Sequence, residues 1–231
     1  MEISINPCGD TAVAVELAGG ISPNANRQVI SLCRALKLKA ERKRVKVEIV
    51  PSYCGFMVHY SPLEMSFEEV CQMIECAANK AVDEKEAEAG FATVPVCYGG
   101  EFGPDMEDLC RHTGFSPEEV ISIHSSGEYL VYMLGFTPGF PYLGGMDKRI
   151  AMPRLETPRP SIPWGSVGIA GEQTGVYPSA SPGGWRLIGR TPLRLFSSET
   201  GETLLAAGMK LRFKPITKEE YRSLLEGRSH I

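Results

Sequence analysis

The sequence predicts an α+β protein of two domains: an N-terminal ferredoxin-like α+β domain followed by a C-terminal β-barrel domain. Three observations predict it. Periodicity in the first third of the chain switches between strand and helix in the order strand, helix, strand, strand, helix, most of a split β-α-β unit. A charge-dense, core-poor run, Asp83 to Glu88, follows, which sets the boundary near Glu88 and divides the chain into residues 1–88 and 89–231. The remainder combines short strands with a Gly- and Pro-rich stretch, Val131 to Phe196, through which Phe136, Phe140, Tyr142, Trp164, Tyr177 and Trp185 are interleaved. Aromatics at that density need a packed partner, so the stretch reads as short strands and tight loops, not as a linker.

Each element has a local reason. Thr11 to Leu17 alternates apolar and polar residues and reads as a strand. Ser22-Pro23 is a helix start, and Val29, Leu32, Cys33 and Leu36 carry that helix to about Leu38. The basic run Lys37 to Lys46 then reads as a solvated connection into the next strand, favourable beside a helix C-terminus. Val45–Val50 and Phe56–Tyr60 form an antiparallel hairpin around Pro51-Ser52-Tyr53-Cys54-Gly55. Ser66 with Glu69 makes a capping box, and Val70, Met73, Ile74 and Ala77 form the buried face of the helix it starts.

In the second domain, Thr93 to Tyr98 is a strand, and a short helix from Gly103-Pro104-Asp105 reaches about His112. Ser116-Pro117-Glu118-Glu119 opens a helix ending near His124, and Tyr129–Leu134 is a strand. Leu193–Phe196, Thr203–Leu205 and Lys210–Phe213 read as closing strands, with Gly201 and Gly208 at their turns. Thr217 caps a last helix ending near Leu225. Short strands with helices at the edges indicate a barrel.

Composition removes several function classes. With 231 residues, a formal charge of −4 and an isoelectric point near 5.7, the chain has no basic field to attract nucleic acid. No apolar run approaches the ~20 residues of a membrane helix, and Met1 to Asp10 lacks the pattern of a signal peptide, so a cytoplasmic, membrane-free protein is expected. The 7 cysteines contain no C-x-x-C pair and read as reduced thiols in apolar roles. The histidines are scattered, so no metal site is expected. There is no Gly-Lys dipeptide, which excludes a Walker A loop, and no G-x-G-x-x-G after a strand. Trp164-Gly165-Ser166-Val167-Gly168 fails the hydrolase elbow G-x-S-x-G at its first position.

What remains is a polar set around the central stretch: His124, Arg154, Arg159, Ser166, Gln173, Thr174, Tyr177, Arg186 and Arg190. A guanidinium is a planar fork of donors suited to carboxylate or phosphate, and proline or sharply turned backbone beside these arginines pre-aims it. The set reads either as a pocket for a small anion or as surface arginines packed on aromatics by cation–π contact. His124, at a helix end, reads either as a cap or as a proton-transfer group. Phe136, Phe140 and Tyr142 read either as a docking face for another protein or as barrel core.

The block from Ile123 to Asp147 (IHSSGEYLVYMLGFTPGFPYLGGMD) and the block from Pro153 to Phe196 (PRLETPRPSIPWGSVGIAGEQTGVYPSASPGGWRLIGRTPLRLF) closely resemble the B subunit family of bacterial 5-oxoprolinase. That family includes the KipI-type inhibitors of sporulation histidine kinases and was formerly labelled allophanate hydrolase subunit 1. The likeness extends to GDTAVAVEL, VEIVPSYCGFMVHY and VPVCYGGEFGPDM, nearly the whole chain. It implies that the C-terminal barrel is cyclophilin-like, in fold alone. It implies ATP-dependent opening of 5-oxo-L-proline to L-glutamate, together with the A and C subunits of 5-oxoprolinase and with little activity in their absence. The implied cofactor is ATP with Mg2+, on this polypeptide or shared with its partner. Set against that implied chemistry, the polar set gives these expectations: His124, Arg159 and Arg186 are catalytic. Arg154, Gly165, Ser166, Gln173, Thr174, Tyr177 and Arg190 are expected to bind substrate or anion, and Phe136, Phe140 and Tyr142 to dock the partner. The alternatives are a KipI-type protein that binds a histidine kinase, and a carboxyltransferase-like protein acting on urea- or allophanate-type substrates.

Overall fold

Inward-pointing Val13 and Val15 alternate with outward Ala14 and Glu16, which commits the first domain to a sheet with one covered face. The computed structural model describes residues 2–80 and 90–227. The chain divides into two compact units, Met1–Glu88 and Ala89–Ile231. The Asp83–Glu88 run in which the boundary is predicted lies outside the described residues.

In the first unit, β1 (Ile3–Pro7), β2 (Ala12–Leu17), α1 (Pro23–Lys43), β3 (Val47–Pro51), β4 (Gly55–Tyr60) and α2 (Phe67–Lys80) follow in order. The strands form an antiparallel sheet in the order β1-β2-β4-β3. Val13, Val15, Phe56 and Val58 pack with Val29, Leu32, Leu36, Met73 and Ile74 in one core. The predicted β-α-β-β-α order is present, and the capping box of Ser66 and Glu69 is formed. One strand goes beyond that order: β1 takes the sheet edge beside β2. The helix α1 also runs past Leu38 into the basic run, as far as Lys43, because Leu36 and Ala40 prolong its buried row. It stops where Arg44 turns into the left-handed conformation.

The second unit contains β5 (Phe91–Tyr98), α3 (Met106–Thr113), α4 (Pro117–Ser126), β6 (Tyr129–Leu134), β7 (Pro141–Gly144), β8 (Arg159–Ile162), β9 (Ser166–Ala170), β10 (Gln173–Val176), β11 (Ser181–Gly183), β12 (Arg186–Arg190), β13 (Lys210–Pro215) and α5 (Lys218–Glu226). Strands β10-β7-β6-β13-β5-β12-β9 close into a barrel, and β8 with β11 forms a separate ribbon. All barrel pairs are antiparallel except β5 with β13. The barrel core holds Val94, Val96, Val131, Leu143, Val167, Ile169, Val176, Ile188, Leu211 and Phe213. A smaller aromatic cluster, Phe140, Ile162, Ala170, Tyr177, Trp185 and Leu187, is distinct from it.

Two expected closing strands are corrected. Leu193–Phe196 and Thr203–Leu205 meet only at the isolated bridge Phe196–Thr203, although Leu195 and Leu205 are buried in the barrel core cluster. Parallel pairing of β13 with β5 closes the barrel without them, and a closed barrel has no free edge for a further strand.

Candidate functional site

The first turn of α3 organises the arginines. Asp105 occupies its N-cap but makes no side-chain cap bond, because its buried side chain, 5% exposed, is engaged elsewhere. Arg159 donates to it with both terminal nitrogens, Nη1 to Oδ2 at 3.0 Å and Nη2 to Oδ1 at 2.7 Å. The Leu187 amide donates to the same Oδ2 at 2.6 Å. A buried carboxylate needs this saturation. One turn on, Asp108 accepts from Arg111 and, at 3.3 Å, from Nη1 of Arg186. Both arginines expected to be catalytic are therefore struts that tie β8 and β12 to α3.

Arg154 is different. Its backbone is clamped on both sides: the Pro153 carbonyl accepts from Arg186 Nε at 3.3 Å, and the Leu155 amide donates to the Gly184 carbonyl at 2.7 Å. Its guanidinium carbon lies 5.9 Å from the centre of the Trp185 ring. The side chain is exposed and meets no carboxylate among the described residues. The neighbouring Tyr177 phenol is pushed up to about 12, chiefly by burial, while Arg154 and Arg159 pull it the other way. Gly183 is required here, since a Cβ at that position would lie 2.4 Å from the Tyr177 hydroxyl oxygen.

Arg190 and Arg194 form a third arrangement. Arg190 Nε donates to the Trp164 carbonyl at 2.8 Å. The guanidinium carbons of both arginines lie 5.5 Å from the centre of the Trp164 ring. Gly165 makes the turn, with φ +78° and no room for a Cβ, which would fall 2.3 Å from the Thr191 carbonyl oxygen.

His124 is wholly buried. The Thr174 hydroxyl donates to the Gly168 carbonyl at 3.0 Å, so its oxygen accepts from His124 Nε2 at 2.9 Å. The other ring nitrogen, Nδ1, then accepts from the Tyr98 hydroxyl at 2.8 Å. Tyr129 donates its hydroxyl to the His124 carbonyl at 2.6 Å, and the imidazole stacks on Phe213 at 4.5 Å between ring centres. Burial lowers the histidine to about 3, so the ring is neutral. His124 and Thr174 thus belong to a closed polar network within the barrel.

The remaining expected residues are dispersed. The Ser166 hydroxyl is buried and donates to the Pro163 carbonyl at 2.7 Å. Gln173 opens β10 opposite Ala170. Of the expected docking aromatics, Phe140 is buried in the small cluster and Tyr142 lies half-buried against it. Phe136 is 64% exposed, and its φ of +67° is a left-handed conformation unusual for an aromatic. An open groove of about 590 Å³ in the first unit is lined by residues including Lys37, Lys46, His59 and Tyr60, and by none of the expected site residues. Among the described residues no cluster of His, Cys, Asp or Glu is arranged to hold a metal, and no helix is long and apolar enough to cross a membrane. Sequence reasoning missed Asp105 and Asp108, which look like ordinary acidic residues of a helix start. It also missed Arg194, whose i, i+4 spacing from Arg190 is the one signal available.

The arginine-bearing barrel has known relatives. The family model for the carboxyltransferase domain, subdomain C and D, matches residues 3–206. The chain belongs to this family. It is 44% identical over 96% of its length to the B subunit of 5-oxoprolinase from Bacillus subtilis (strain 168), of which it covers 96%. It is 39% identical over 90% of its length to the B subunit of 5-oxoprolinase from Escherichia coli O157:H7, covering 93% of that protein. A crystal structure of TTHA0988 superimposes with a TM-score of 0.76 and 31% identity over 89% of this chain, which spans only 40% of that longer one.

Proposed function

We propose that this protein is the B subunit of a 5-oxoprolinase, which opens 5-oxo-L-proline to L-glutamate with consumption of ATP and acts together with the A and C subunits. The observation that carries this reading is the 44% identity to the Bacillus subtilis protein across 96% of both chains. The geometry supports a role for each of these arginines. Arg154, clamped on both sides and resting on Trp185, binds the substrate carboxylate with a fork that no carboxylate of the described residues occupies. Arg159 and Arg186 hold that site in place from α3. Opening the lactam places negative charge on its oxygen, and fixed cationic donors stabilise such charge. ATP supplies the phosphoryl group that activates the lactam. Mg2+ would be held largely by the nucleotide phosphates, as is usual where it serves a nucleotide. Phe136, the exposed aromatic of the β6–β7 loop, docks the companion polypeptide.

The test is reconstitution of the chain with its companion subunits. Glutamate forms from 5-oxoproline only with ATP present, and Arg154→Ala lowers turnover by roughly 100-fold with an unchanged melting temperature. Absence of glutamate from the complete wild-type set overturns the reading.

A further inference from the structure

We infer that Arg190, Trp164 and Arg194 form a binding site for the phosphate chain of a nucleoside triphosphate, separate from the Arg154 site. The inference rests on the proposed activity only in naming the nucleotide. The site itself rests on how charge is distributed among the arginines.

Arg159 is paired with Asp105, and Arg186 shares Asp108 with Arg111. Arg190 and Arg194 have no carboxylate partner among the described residues. Both nevertheless lie 5.5 Å from the centre of one indole, so their guanidinium carbons are no farther apart than about twice that distance. Two cations within that span and without a carboxylate partner among the described residues are complementary to a ligand that carries several negative charges along its length. The attachment of Arg190 leaves the binding edge free: Nε is used on the Trp164 carbonyl at 2.8 Å, which leaves both terminal nitrogens for a ligand. The turn that brings indole and guanidinium together is enforced, because Gly165 sits at φ +78° against the Thr191 carbonyl.

Charge number assigns the ligands. Arg154 is a single cation on Trp185 and suits a monocarboxylate. The paired cations on Trp164 suit a ligand with several negative charges, and a triphosphate chain is longer than a single guanidinium fork can cover.

The experiment is titration of the full chain with inorganic tripolyphosphate, ATP and AMP at low salt, with wild type, Arg194→Ala and Arg190→Lys. Arg194 is exposed, and its contact is with the indole face, so its removal leaves the fold intact; circular dichroism and melting check both variants. Tripolyphosphate and ATP bind wild type, AMP binds at least ~10-fold more weakly, and each variant loses ~10-fold or more for the triphosphates. Wild type that fails to bind tripolyphosphate at millimolar concentration overturns the site, as do folded variants that bind like wild type. The two readings separate cleanly. A reconstituted set that makes no glutamate, with triphosphate binding still dependent on Arg194, removes the activity and leaves the site. Full activity in Arg194→Ala with an unchanged KM for ATP removes the site and leaves the activity.

Discussion

The arginines at the first turn of α3 and those on Trp164 use the same side chain for opposite ends. At α3, Arg159 meets a buried carboxylate that accepts three hydrogen bonds, two from Arg159 and one from the Leu187 amide. On Trp164, the guanidiniums meet an aromatic face and one carbonyl. The first arrangement completes the protein's own charge balance, and removing one partner strands a buried charge. The second leaves charge unspent. Proximity to glycine and proline does not distinguish the two groups, since both follow such residues in the chain. The difference is whether an aspartate arrives from another element.

This contrast sets the order of expected effects. Arg159→Ala strands Asp105 and costs about 3–5 kcal/mol, a fall of roughly 10 °C in melting temperature; a shift within 2 °C would mean that Asp105 finds water instead. Gly165→Ala, on the opposite side of the comparison, drives a Cβ against backbone and forces a left-handed alanine. A loss of about 3 kcal/mol is expected in denaturant unfolding, together with weakened tripolyphosphate binding.

The buried histidine gives a pH signature. His124 falls to about 3 in the folded chain, below its ordinary value of 6.5. Between those values the unfolded chain binds the additional proton, so stability rises with pH across the window and is lost as pH falls from 6.5 towards 3. The slope is about 1.4 kcal/mol per pH unit. Urea melts at pH 7 and pH 5 measure it, and His124→Gln flattens that part of the dependence. An unaltered slope in the variant would assign it to other groups. Smallest in stability is Phe136→Gly, within about 1 kcal/mol of wild type, because release of the left-handed strain offsets the lost contact with Phe140. Its effect is expected in association instead: pull-down of the companion polypeptide falls, and unchanged pull-down would return Phe136 to a purely local role.

Much of the frame was legible along the chain. The helix caps expected at Ser66, Ser116 and Thr217 are formed, because a cap involves residues three apart that meet whatever the fold does. The strand Tyr129–Leu134 has the bounds expected of it. The aromatics of the Gly- and Pro-rich stretch did require packing partners, and Phe140, Tyr177 and Trp185 supply them to one another. Less legible were β1, whose pairing depends on β2, and the end of α1, where Ala40 carries the buried row into a basic run that reads as surface.

The site was harder to read for the same reason at longer range. Residue type and spacing established that guanidiniums crowd the second domain and that stiff turns present them. They did not establish which of these charges are free. Asp105 lies 54 positions before Arg159, and Asp108 lies 78 before Arg186. Likewise His124 finds Thr174 across 50 positions. A charge, or a ring nitrogen, takes its chemical character from whatever is within a few ångströms. Barrel closure brings those partners together from distant parts of the chain, and no local pattern records the meeting.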